Sequence, residues 1–202
     1  GNDIDGEAAG DESGWSVSLS SDGGTVAIGA KNNDGNGNNA GHVRIYSYNG
    51  SSWTQLGNDI DGEAAYDKSG VSVSLSSDGN TVAIGANDND GNGTDAGHVR
   101  IYTFQGSSWV QVGVDIDGEA ADDGSGMSVS LSSNGGRVAI GARYNNGNGT
   151  WSGHVRVFSI NNTACSFGCT DSLAFNYDSL ANVDDGSCIY SNVCTEDAPT
   201  GL

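Results

Sequence analysis

Basic residues are scarce in this chain. Seven Lys plus Arg stand against 26 Asp plus Glu, for a formal net charge of −19. A chain this anionic lacks the cationic surface that phosphate backbones require, which excludes nucleic acid as a partner. No apolar run approaches the roughly 20 residues of a membrane-spanning helix, which argues against membrane insertion. Nor does any stretch carry a 3.6-residue period. Catalytic signatures are missing too: there is no Gly-x-Ser-x-Gly elbow and no His-x-x-x-His pair, and the spaced glycines Gly35 and Gly37 lack the strand-to-helix junction of a nucleotide loop. Cysteine is absent before Cys165, and no Lys or Arg follows Arg156. Aromatic and β-branched residues recur regularly, so the acidity belongs to a folded surface and not to a disordered tail.

What is present is a repeat. Gly1-Asn-Asp-Ile-Asp-Gly-Glu returns at Gly57 and, with Val for Asn, at Gly113, while Gly-His-Val-Arg recurs at Gly41, Gly97 and Gly153. The unit is 56 residues long and contains no insertion. Within it, Trp15, Val17 and Leu19 alternate with Ser16, Ser18 and Ser20, the period-two pattern of a strand with one buried face. Val26 to Ala30 is apolar or small on both faces and predicts a central strand. His42 to Tyr48 and Trp53 to Leu56 complete four strands. Ser21-Asp22-Gly23-Gly24 and Asn49-Gly50 supply tight-turn chemistry, and a longer Asn, Asp and Gly-rich loop, Lys31 to Gly41, joins strands two and three.

The fold class expected is therefore all-β: three tandem four-stranded antiparallel propeller-type blades (1–56, 57–112, 113–160) and a small C-terminal module (161–202). The third blade is expected to be incomplete, because Ser51 to Leu56 and Ser107 to Val112 have no counterpart after Ile160. Closed propellers use about four to eight blades. Three arrangements thus stay open: a piece of a longer propeller, closure by pairing with other copies, or a head-to-tail stack.

Ser13 to Leu19, Val26 to Ala30 and Gly41 to Tyr46, each recurring in order, resemble the FG-GAP repeat of integrin-α-type β-propellers and of many secreted microbial proteins. The Phe of the name is replaced by Trp15, Val71 and Met127. The acidic calcium hairpin of integrin repeats is reduced to Ser21-Asp22-Gly23-Gly24, so calcium binding does not carry over to that turn. Gly168 to Asp171, Ala174 to Asp178 and Asp184 to Cys188 are similar to a small cysteine-rich module near the ends of large secreted surface proteins of environmental microbes. That resemblance implies location more than chemistry.

Four cysteines in a short acidic segment read as two disulfides in an oxidising compartment. Of the three possible pairings, Cys169 with Cys188 and Cys165 with Cys194 is favoured, and a bridge of that loop size contributes about 3 kcal/mol. Zinc is the competing reading, against which the absence of paired Cys-x-x-Cys knuckles counts.

Calcium is the candidate cofactor elsewhere. Asp88, Asp90 and Asn92 occupy positions one, three and five of an EF-hand-like loop, but Val99 stands where the bidentate Glu belongs; Asn32, Asp34 and Asn36 repeat the pattern in unit one. The alternative for both is a solvated Asn/Gly turn. A second acidic cluster comprises Asp171, Asn176, Asp178, Asn182, Asp184 and Asp185. A third set, Asp3, Asp5 and Glu7 with its copies at Asp59, Asp61, Glu63 and Asp115, Asp117, Glu119, reads as turn formers or as cation ligands between blades. His42, His98 and His154 recur at one place in every unit, which suits bracing a strand end better than serving one active site. Sequons occur at Asn49, Asn92, Asn148 and Asn161.

These features lead to the expectation of a secreted or cell-surface, non-enzymatic structural or adhesive protein that self-associates. The alternative is a calcium-dependent module binding carbohydrate or protein.

Overall fold

The structure, a computed structural model, describes residues 3–160 together with 167, 168, 172, 183, 184 and 188. Unit one folds as β1 (Ser16–Leu19), β2 (Thr25–Ala30), β3 (His42–Tyr48) and β4 (Trp53–Gln55), a meander in the order β1-β2-β3-β4. The register pairs Val17 with Ile28, Ile28 with Arg44 and Tyr46 with Gln55, all antiparallel. Unit two repeats this as β6 (Ser72–Leu75), β7 (Thr81–Ala86), β8 (His98–Gln105) and β9 (Ser108–Gln111). Unit three contributes β11 (Ser125–Leu131), β12 (Arg137–Ala142) and β13 (His154–Ser159), a three-stranded sheet.

Each full sheet gains one more strand. β5 (Ile60–Asp61) and β10 (Ile116–Asp117) open the next unit but pair back onto β3 and β8, matching Val43 with Ile60 and His42 with Asp61. The arm of each unit is thus latched into the sheet before it. Two residues carry no readable periodicity, which is why patterning alone gives four strands and not five.

Hydrophobic burial lies between the sheets. Val43, Ile45 and Ala27 of the first pack against Val73, Leu75, Val82 and Ile84 of the second; Val99, Ile101 and Ala83 of the second pack against Val138, Ile140 and the half-buried Val129 and Leu131 of the third. Glycine makes the close approach possible. A Cβ on Gly29 would lie 2.1 Å from the carbonyl oxygen of Gly70, and one on Gly85 2.0 Å from that of Gly126. The same carbonyls accept hydrogen bonds from Ser16 Oγ (2.8 Å) and Ser72 Oγ (2.7 Å). Ser18 Oγ and Ser74 Oγ accept from the backbone N–H groups of Leu75 and Leu131, both at 2.9 Å. The two seams therefore use one set of contacts twice.

The outer faces lack this cover. Val17 and Leu19 are 64% and 58% exposed, whereas their equivalents Val73 and Leu75 are buried; Val155 and Val157 are 68% and 63% exposed, whereas Val99 and Ile101 are 0% and 3%.

The chain divides into two compact units, Gly1–Ile160 and Asn161–Leu202. In the second, β14 (Phe167–Gly168) pairs in parallel with β15 (Val183–Asp184), and Cys188 is disulfide-bonded. Asp171, Asn176, Asp178, Asn182, Asp185, Cys165, Cys169, Cys194 and Asn161 lie outside the described residues. No helix among the described residues is long and apolar enough to cross a membrane.

Candidate functional site

The feature repeated with the most chemistry is a polar cluster at the start of β3 and β8. His42 is the first residue of β3, and β5 hydrogen-bonded beside it carries Asp59 to its edge. The imidazole is almost wholly buried, with Nδ1 lying 3.7 Å from Glu7 Oε2 and 3.7 Å from Asp59 Oδ2. His98 repeats the arrangement, 3.8 Å from both Glu63 Oε2 and Asp115 Oδ2.

Neighbouring groups fix these carboxylates. Arg44 Nη1 lies 3.4 Å from Glu7 Oε1, while its Nη2 donates to the carbonyl of Asp5 at 2.8 Å; Arg100 does the same to Glu63 and the carbonyl of Asp61. Asp59 Oδ1 accepts from Gln55 and Asp115 Oδ1 from Gln111, leaving each second oxygen to face the histidine. Burial, with Arg100 adding to it, pushes the His98 pKa below its ordinary value, against the opposing pull of Asp115 and Glu63. A neutral imidazole then faces two carboxylates, only one of which an arginine balances.

In unit three the cluster is smaller. His154 Nδ1 is 3.6 Å from Glu119, with a quarter of its side chain exposed, and no second carboxylate joins it among the described residues. Of the acidic set Asp3, Asp5 and Glu7 and its copies, the structure brings Glu7 and Asp59 together at one histidine and Glu63 and Asp115 at the next. Asp5 and Asp61 contribute their backbone carbonyls.

The loop residues are placed differently. Asp34 Oδ1 accepts from the N–H of Asn39 at 2.7 Å and Asp90 Oδ1 from that of Asp95 at 2.9 Å, the work of turn formers. Asn36 Nδ2 and Asn92 Nδ2 donate to the carbonyls of Gly62 and Gly118 in the following unit. Asn32 accepts from Lys68 Nζ. Asp88 instead lines a cleft of about 520 Å³ with Asp95, Asp122, Asn146, Tyr144 and Trp151. Burial, reinforced by Asp95, raises the pKa of its carboxyl. Asp22 is held by Ser20 Oγ and the N–H of Gly24 within its turn. Of the sequons, Asn49 and Asn148 lie on exposed loops.

A further repeated pair escaped the sequence reading. Asp11, Asp67 and Asp123 are buried, and each Oδ2 accepts both a backbone N–H three residues earlier and the amide of Asn33, Asn89 or Asn145. Exact recurrence of both residues in every unit was the available signal.

The first unit matches the FG-GAP repeat family over residues 4–46. A search of curated proteins finds no match. Among solved structures, the chain is similar to the crystal structure of a candidate 6-phosphogluconolactonase from Bacteroides uniformis, at 14% identity and a TM-score of 0.47, over 73% of this chain and 37% of that one. The chain thus spans well under half of that protein, and the likeness carries no functional argument.

Proposed function

We propose that this β-repeat protein is a secreted, non-enzymatic structural or adhesive subunit whose copies join head to tail in an extracellular filament, appendage or matrix. The supporting observation is the pair of open apolar faces, Trp15, Val17 and Leu19 on one side and Val155 and Val157 on the other. They are the two halves of a seam that the molecule already builds twice internally. Continuing the repeat, Ile4 and Asp5 of a neighbouring copy add to β13 beside Val155 and His154, as β5 adds to β3. Ser128 Oγ then reaches the neighbour's Gly14 carbonyl, and Asn148 the neighbour's Gly6 carbonyl. Such a heterologous contact gives a ring or a filament according to its rotation. Secretion is supported by the disulfide at Cys188 and by the acidic composition. Sedimentation of the full chain across a concentration series, with electron microscopy of the heaviest fraction, tests the reading. Discs or filaments are expected, and a monomer at every concentration overturns it.

A second reading, a calcium-dependent carbohydrate- or protein-binding module, is favoured by the cleft beside Asp88. Trp151 is mostly exposed there at φ 54°, a left-handed conformation taken at the same place by Asn39 and Asp95 and strained for an aromatic residue. Its ring meets Tyr144 edge-on at 6.0 Å. Titration calorimetry with calcium, then with oligosaccharides in its presence, is expected to give heat that Trp151→Ala abolishes. No heat in either titration removes this reading.

A further inference from the structure

We propose that the Glu7–His42–Asp59 and Glu63–His98–Asp115 clusters each bind a zinc-type divalent cation that clamps one blade to the arm of the next. His42 and His98 are 1% exposed, and each aims Nδ1 at two carboxylate oxygens lying beyond hydrogen-bond distance. A buried imidazole whose Nδ1 stands 3.7–3.8 Å from two anionic oxygens is not explained by hydrogen bonds to them and is explained by a shared cation.

Geometry and chemistry agree. One nitrogen and two carboxylate oxygens lie within 4.8 Å of one another in both clusters. Tetrahedral zinc with bonds of about 2.0–2.2 Å holds its ligands about 3.3 Å apart. The observed separations close to that value by small movements of Glu7 and Asp59, both of which reach solvent. Three protein ligands leave a fourth position for water, and solvent reaches the site through the carboxylates. Imidazole in the donor set selects the zinc class over calcium, which takes six or more oxygens. Around each carboxylate stands the second layer that metal sites use for orientation, Arg44 and Gln55 in one cluster and Arg100 and Gln111 in the other.

The clamp has a direction. In the first cluster Glu7 and His42 belong to one unit and Asp59 to the next, so the ion ties β5 to the sheet it joins. At Glu119 and His154 the corresponding carboxylate is Asp3 of the next copy; that third site rests on the head-to-tail reading, and the first two do not.

The test uses the full chain, stripped with chelator and titrated separately with zinc chloride and calcium chloride. Calorimetry and metal content after dialysis give the stoichiometry. His42→Ala and His98→Ala are each expected to remove one zinc per chain, the double variant two, and zinc to raise the wild-type Tm. Zinc held by the cysteine module would survive these substitutions, so the difference between wild type and variant is the readout. Should the histidine variants fail to fold by circular dichroism, Asp59→Asn and Asp115→Asn alter half-open positions and are expected to weaken zinc at least about tenfold. Equal zinc uptake by wild type and by every folded variant overturns the proposal, as does a wild type that takes up no zinc or prefers calcium at these sites. A monomeric wild type that still binds two zinc ions refutes the assembly reading alone.

Discussion

Aspartate at position 157 should separate folding from assembly. Positions 101 and 157 are one repeat apart, yet Ile101 is 3% exposed within the second seam and Val157 is 63% exposed on the outer face of β13. Burying a Val or Leu side chain fully is worth about 1.5–3 kcal/mol, so seating four side chains already one-third buried contributes about 1–2 kcal/mol each. Val157→Asp removes one such term and places a carboxylate in the contact, which costs several kcal/mol more when desolvated. The sum, at least about 3 kcal/mol, weakens association more than about 100-fold. Within a single chain the same change sits on the surface and shifts stability by about 0.5 kcal/mol or less. Ile101→Asp buries the charge within the chain and is expected to abolish the cooperative thermal transition. Sedimentation velocity reads the first effect and circular dichroism melting the second. Two results would refute the reasoning: Val157→Asp sedimenting like the wild type, or melting as poorly as Ile101→Asp.

The glycine slots give a parallel contrast. Gly85→Ala drives a Cβ into the backbone of Gly126 and is expected to cost about 3 kcal/mol in chemical denaturation. Gly141→Ala meets only the movable hydroxyl of Ser128 and should leave the monomer within about 1 kcal/mol while slowing assembly. Asp123→Ala strands the buried amide of Asn145 and is expected to cost about 1–3 kcal/mol, read by the urea midpoint. The Ser76 hydroxyl above all, together with the Asn80 N–H, holds the Asp78 carboxyl below its ordinary range. That stabilisation is complete above the carboxyl's unfolded value, about 3.9, and fades as pH falls through the lower folded one. Ser76→Ala should therefore lower Tm at neutral pH, and its deficit should shrink in acid; a deficit that grows on acidification contradicts the assignment.

Much of the sheet architecture was legible in the sequence because its causes are local. Alternation along Val17 and Leu19 fixes a face, and Gly23 and Gly50 fix the turns beside it. The apolar and small residues from Val26 to Ala30 marked a strand covered on both faces, and Gly29 within it is where the next sheet comes closest. What escaped were pairings whose partners lie far apart along the chain. β5 is two residues long and exists only because β3 offers it an edge. The carboxylates around His42 come from positions 7 and 59, so neither spacing nor composition joins them until the arm of one unit folds onto the sheet of another. Asp67 and Asn89 were hidden for the same reason, since a turn residue and a buried anchor look alike in a loop rich in both.

The serine and glycine contacts joining the first sheet to the second are reproduced, atom for atom, between the second and the third. Interchangeable joints keep no count. In the proposed filament, a unit meeting Trp15 or Val157 would have no means of telling a first neighbour from a hundredth, so filament length would be set by whatever masks one of those surfaces. Any agent that does so, whether a differently sequenced end unit or a sugar grown on Asn148, would act as a terminator at far lower abundance than the subunit it stops.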